Sequence, residues 1–207
     1  MLFDDSYKTI ANAAEGLYRD RGSRFIALAF PITDESGFKK HYIDLKKIHH
    51  KANHHCYALR LTPDRSVFKF SDDREPSGSA GRPILNAMLS ADVTDCAIVV
   101  ARYFGGTLLG IPGLINAYKA AAEDALKHAA IIVMQVVEYY ELHFSFGMMN
   151  DVMQLLKIHE AIILSNEYQN ECIIRFSIGK NKADALIRAA NTNYLLNGIK
   201  LMPVSKP

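Results

Sequence analysis

Two stretches of this chain bring together side chains and backbone that could do chemistry. The first, SDDREPSGSAGR (71–82), crowds Asp72, Asp73, Arg74, Glu75, Ser77, Gly78, Ser79, Gly81 and Arg82 into one short span. The second, RYFGGTLLGIPG (102–113), follows Arg102, Tyr103 and Phe104 with Gly105, Gly106 and Gly110. Each runs into a segment with helical character. A helix start leaves its first amide hydrogens unpaired at the positive end of the helix dipole. Glycine lets backbone approach a ligand closely, so both stretches suit an anion such as phosphate or carboxylate.

Arg74, Arg82 and Arg102 would add positive charge, and Tyr103 or Phe104 would give a base a surface to stack on. Neither stretch is a nucleotide fingerprint: there is no GxxxxGK[ST], and no GxGxxG followed by a strand and an acid, so no cofactor is expected. The glycines also have a plainer use in tight turns and in close packing of helix on sheet. The neighbouring carboxylates Asp72, Asp73 and Glu75 could hold Mg²⁺, or could belong to Asx and Ser turns of a solvated loop. No metal site is assigned.

Five of the eight histidines fall between residues 41 and 55: His41, His49, His50, His54 and His55. His50 and His54 have i, i+4 spacing. However, HKANH lacks the glutamate of HExxH and straddles a helix end and a strand start, which argues against zinc. On an alternating strand, His54 and His55 point to opposite faces, one buried and hydrogen-bonded, the other toward the loop. Cys56 beside them reads as a buried strand cysteine. With no GxSxG elbow and no ordered triad, no catalytic residue is assigned, and whether the chain is an enzyme stays open.

The elements that must position these groups are legible from periodicity. RFIALAFPI (24–32) is a strand, after which Phe38, Tyr42, Leu45 and Ile48 recur at helical spacing. HCYALRL (55–61) and VFKF (67–70) form a hairpin about TPDRS. Residues 71–82 form a loop, and Pro83 opens a helix. CAIVVARYF (96–104) is a strand covered on both faces, and a stripe from Leu114 to Ala129 marks the helix beyond the second loop. From about 134 the order is strand, helix, two strands, helix, strand. This βαββαβ sequence is the split βαβ arrangement. The joint IIVMQVV (131–137) is apolar, so the two domains are expected to pack together.

At 207 residues and 49% hydrophobic composition, the chain has enough material for one large or two small cores. A net charge of +2 gives no global field toward nucleic acid or anionic membrane, so any polyanion site must be local. Three separated cysteines fit a reducing compartment, and the acidic start MLFDDSYKTI is unlike a signal peptide. A cytoplasmic protein with no membrane partner is expected; its oligomeric state is not indicated.

HHCYALR (54–60), SDDREPSGSAGRPIL (71–85), VVARYFGGTLLG (99–110) and GLINAY (113–118) together resemble the motifs of the YigZ/IMPACT family. That family's pattern is approximately DDGEPSGTAGKPIL followed by VVRYFGGxxLGxGGLxxAY. The likeness extends over the whole length, GSRFIA (22–27) included. It implies an α+β fold in two domains. Residues 1–132 would form an Impact N-terminal-like α/β sandwich of the kind found in a small-subunit ribosomal protein and elongation factor G, and 133–207 a ferredoxin-like domain. It also implies a role in translation, with RNA, the ribosome or a translation-regulatory protein as partner. The alternative is a binder or enzyme for a small phosphorylated or carboxylated metabolite. Arg74 stands in place of the family's glycine, Arg82 of its lysine, Pro112 of a glycine and Asn116 of a basic residue. The first loop therefore keeps its charge, while the second loses one N–H and one cation.

Overall fold

The computed structural model describes residues 5–169 and 171–205, so the first four residues of the acidic start lie outside it. The chain is α+β and divides into two compact units, Ser6–Met134 and a second that includes Gln135–Pro207. Among the described residues no helix is long and apolar enough to cross a membrane.

The N-terminal unit is built on a five-stranded antiparallel sheet of β2 (Ala14–Asp20), β3 (Ser23–Pro31), β6 (Cys96–Tyr103), β4 (His54–Leu61) and β5 (Val67–Ser71), in that spatial order. A short strand β1 (Ser6–Ile10) pairs separately with β7 (Ile131–Gln135). Helix α1 (Glu35–Ile48) covers one face of the sheet; α2 (Gly81–Ser90) and α3 (Gly110–His128) cover the other. α1 begins where Asp34 Oδ1 accepts the Gly37 amide at 2.7 Å, an N-cap that satisfies one of the four orphan donors.

Strand β6 explains why CAIVVARY is apolar throughout. Cys96, Ile98 and Val100 pack beneath α2 and α3, while Ala97 and Val99 pack beneath α1. The alternation of a pleated strand carries Arg102 to the same face as Ile98 and Val100. On β4, Cys56 and Ala58 share the α2/α3 face and Leu59 and Leu61 the α1 face, so His54 falls on the former and His55 on the latter. Two strand ends thus deliver His54 and Arg102 side by side, at the end of the sheet where α3 begins; they are register partners.

The second unit has the expected βαββαβ order: β8 (Val137–Phe144), α4 (Met149–Ile158), β9 (Ile162–Tyr168), β10 (Cys172–Gly179), α5 (Lys180–Thr192) and β11 (Lys200–Pro203). Its antiparallel sheet runs β11-β8-β10-β9, placing β10 between the two strands that the first crossover joins. Leu142, Phe144, Ile174 and Phe176 bury one face against Leu156 and Leu186. On β8 and β10, Glu141, His143 and Arg175 have the opposite parity.

Candidate functional site

The first loop is ordered by its own carboxylates. After β5, Asp73 and Arg74 adopt left-handed φ of 38° and 70°, and the Glu75 amide donates back to the Asp72 carbonyl at 2.8 Å. This tight turn sends Glu75 inward. The Asp72 carboxylate accepts the Gly78 amide at 2.9 Å, the Ala80 amide at 3.0 Å and the Gly81 amide at 2.8 Å. At the start of α2 the Ala80 and Gly81 amides are therefore taken by the protein's own aspartate and Pro83 has none to offer, so this helix start is not an open phosphate cradle. A β-carbon on Gly81 would lie 2.8 Å from the Ser71 backbone, so this glycine serves close packing. Ser77 and Arg74 are exposed, and the exposed Arg82 lays its guanidinium over Phe70 at 5.3 Å.

The three carboxylates go to three different partners. Besides Asp72, Asp73 Oδ2 accepts the His55 amide at 2.7 Å. Glu75 is buried, and its Oε1 accepts Arg102 Nη1 at 2.6 Å and the Tyr118 hydroxyl at 2.8 Å. Among the described residues no three His, Cys, Asp or Glu side chains form a metal-binding group. His54 joins this floor with Nε2 at 3.8 Å from Glu75 Oε1. Its Nδ1 lies 2.8 Å from the Asp73 carbonyl, which can only accept, so Nδ1 carries the proton. His55 is the buried histidine of the pair, and burial holds its pKa below the usual value. Its Nε2 meets the His49 carbonyl at 3.1 Å. The Cys56 thiol lies 3.1 Å from the Asp72 carbonyl and 3.3 Å from the Tyr118 hydroxyl, and burial pushes its pKa up, the opposite of an activated thiol.

Arg102 is 5% exposed and is flanked by aromatic rings, with Phe25 at 5.5 Å and Phe104 at 5.6 Å from its guanidinium carbon. Only Nη1 is used by Glu75; Nε is buried with no hydrogen-bond partner among the described residues. A buried donor left unmade costs about 1–3 kcal/mol, more when it belongs to a charged group.

The second loop is held open differently. The Phe104 amide donates to Asn53 Oδ1 at 2.8 Å and the Gly105 amide to Ser23 Oγ at 3.1 Å. A β-carbon on Gly105 would sit 1.9 Å from the Gly22 carbonyl carbon, so no other residue lets the loop turn here without displacing the β2–β3 connection. Gly106 and Gly110 have positive φ. Tyr103 is pinned, its hydroxyl 3.0 Å from His49 Nδ1 and its ring beneath the Arg24 guanidinium at 5.0 Å, whereas Phe104 is 44% exposed. Leu109, at the N-cap of α3, provides no side-chain hydrogen bond to the helix start, in contrast to the filled start of α2.

Between the two loops lies a cleft of about 460 Å³. His54, Glu75, Arg102 and Asn53 form its polar end; Phe104, Leu108, Ile111 and Leu114 form its apolar wall, with Gly110 at the α3 start on its edge. Of the residues singled out from the sequence, the structure brings His54, Glu75, Arg102, Phe104 and Gly110 together. Asp72, Gly78 and Gly81 form a separate internal capping network. Asn53 and Tyr118 also take part, although a lone asparagine before a strand and a tyrosine in a helical apolar stripe carry no local signal of this role in the sequence.

The family model described as Impact N-terminal domain matches residues 21–126. An IMPACT family member of Haemophilus influenzae is 31% identical over 79% of this chain and 80% of its own. IMPACT family member YigZ of Escherichia coli is 31% identical over 89% of this chain and 91% of its own. The protein IMPACT homolog of Saccharomyces cerevisiae is 35% identical over 53% of this chain and 43% of its own. A solved structure described as that of a hypothetical protein superposes with a TM-score of 0.75 at 25% identity, covering 99% of this chain and all of the other. The matched segment contains both loops and every residue of the cleft, and the resemblance continues through the second unit: the chain belongs to the IMPACT family.

Proposed function

We propose that this chain is a regulatory binding protein acting in translation, and that it takes an unpaired nucleotide of RNA, free or on the ribosome, into the cleft between the two loops. The base stacks on Phe104, and a phosphate is met by the unused N–H groups of Arg102 and by the uncapped start of α3. The observation that carries this reading is the buried Arg102 guanidinium, with an unpartnered Nε, lining the same cleft as an exposed aromatic ring. One cleft, and not two phosphate cradles, is the recognition site, because Asp72 fills the start of α2.

The test is fluorescence anisotropy of a short labelled single-stranded RNA, with Phe104→Ala as the variant. Stacking on an aromatic side chain contributes about 1–3 kcal/mol per base, so affinity should fall about tenfold or more. Unchanged affinity, or no binding by the unaltered chain, contradicts the proposal. A second reading is favoured by the size and lining of the cleft, about 460 Å³ with an apolar wall and a few polar groups at one end, as in small-ligand pockets. Here the ligand is a phosphorylated or carboxylated metabolite, bound or turned over. A thermal shift produced by one such compound and not by RNA would select that reading.

A further inference from the structure

The exposed side of α1 concentrates positive charge that the whole-chain balance conceals. Residues 35–51 carry five lysines (Lys39, Lys40, Lys46, Lys47 and Lys51) against the two carboxylates Glu35 and Asp44, a net +3, while the full chain is +2. Both carboxylates are engaged: Glu35 with Lys69 at 2.7 Å, and Asp44 with Lys47 at 3.0 Å. Among the described residues, Lys39, Lys40, Lys46 and Lys51 have no ion-pair partner.

Their placement is regular. α1 turns Phe38 and Leu45 into the core, and the helical repeat puts Lys40 and Lys47 on the opposite side and Lys39 and Lys46 along one flank, where Lys46 lies over the Tyr42 ring at 4.9 Å, with Ile43, which is 54% exposed, between the two pairs. Lys39 and Lys46, and likewise Lys40 and Lys47, are seven residues apart, about 10 Å along the axis. The helix then leads to the cleft. His49, its C-cap, holds Tyr103, and four residues on Asn53 holds the Phe104 amide. Arg74 Nη2 donates to the Asn53 carbonyl at 3.4 Å, and Arg24 lies over Tyr103. The lysines of α1 and these two arginines thus form a row of cations along the helix and past its C-terminal end, where Asn53 and the strand end at Tyr103 border the cleft.

We propose that this row is a track for the phosphate backbone of RNA, leading the strand into the cleft; the proposal rests on the nucleotide-binding reading of that cleft. A membrane surface fits less well. An interfacial helix lays its apolar face into the bilayer, and the apolar face of α1 is already spent on the sheet. Phosphate contacts position a strand without reading its sequence and make binding salt-dependent, whereas stacking in the cleft contributes little to that dependence.

The experiment measures RNA affinity by anisotropy between about 50 and 200 mM salt for the full chain, for K39Q/K40Q/K46Q/K47Q and for the matching four-arginine variant. The glutamine variant should bind at least tenfold more weakly at low salt, with the slope of log K against log salt reduced by about 2–3, and the arginine variant should retain binding. These side chains are exposed, and equal thermal melts confirm that the fold is kept. An unchanged slope overturns the track. So does a glutamine variant that loses binding to phosphatidylglycerol vesicles or to an acidic protein while holding RNA as before. Phe104→Ala separates the two claims: if it binds normally and the glutamine variant does not, the cleft reading fails and the track stands.

Discussion

Asp72 is the side chain on which the first loop depends. It spans the turn to accept three amides that would otherwise be orphaned, as an N-cap does but from nine residues before Gly81. Asp72→Ala should therefore lower stability by about 2 kcal/mol or more, with Asp72→Asn intermediate, measured by urea denaturation. Glu75 and Arg102 form the other decisive pair. Removing one partner of a buried ion pair leaves an uncompensated charge, so Glu75→Leu or Arg102→Met should each cost about 3–5 kcal/mol. The double substitution should cost less than the sum, because neither charge is then stranded. Additive losses in that cycle would mean that the two side chains act independently. Neither relationship could be read from local spacing: Arg102 lies 27 residues and Tyr118 43 residues from Glu75, brought together by strand register and the docking of α3. The residue types suited to an anion were legible; which were free to meet one was not.

At the scale of elements, the legible parts are those whose burial is periodic. β6 sits under helices on both faces and reads as an unbroken apolar run, α1 and α3 show helical stripes, and the βαββαβ order of the second unit follows from alternating faces. β1, β2 and β7 were not assigned, for a physical reason. β2 is an edge strand whose outward positions are Glu15, Leu17 and Arg19 and whose inward ones include Gly16 and Asp20, so its alternating burial is not an alternation of apolar and polar types, and β7 is exposed along its whole length. Gly105 tests how the second loop is seated. Gly105→Ala drives a β-carbon into the Gly22 backbone and should cost about 3 kcal/mol or more, against about 1–2 kcal/mol for Gly106→Ala, which meets only open space and a positive φ. Comparable melting temperatures for the two variants would refute that seating. In the second unit, His143 lies 2.7 Å from Glu141 and 3.2 Å from Glu171, and the Glu141 hydrogen bond, ahead of the Glu171 one, raises its pKa. The folded ring holds its proton more tightly than the unfolded one. Its contribution is therefore complete below about pH 6.5 and is lost as pH climbs through the raised folded value. Melting temperatures taken on either side of that range should differ less in His143→Gln than in the unaltered chain.

Over the whole molecule, a net charge of +2 suggests no preference for polyanions, yet the charge is not spread evenly. α1 and the arginines near the cleft mouth gather cations on the N-terminal unit, while Glu141, Glu167 and Glu171 accompany Arg175 and His143 on the sheet of the second. The match to the Impact N-terminal domain spans residues 21–126, which hold the strand ends and the α3 start that line the cleft. On the proposed function, one cleft, and not the filled start of α2, receives the ligand. The most direct measurement is a map of amide chemical shifts while a short single-stranded RNA is titrated into the isotope-labelled chain. The largest changes should fall at Asn53, Phe104 and the α3-start amides of Gly110, Ile111 and Gly113, with the amides of Gly78, Ala80 and Gly81 unmoved on their aspartate. Changes centred on those three amides, or confined to the second unit, would contradict it.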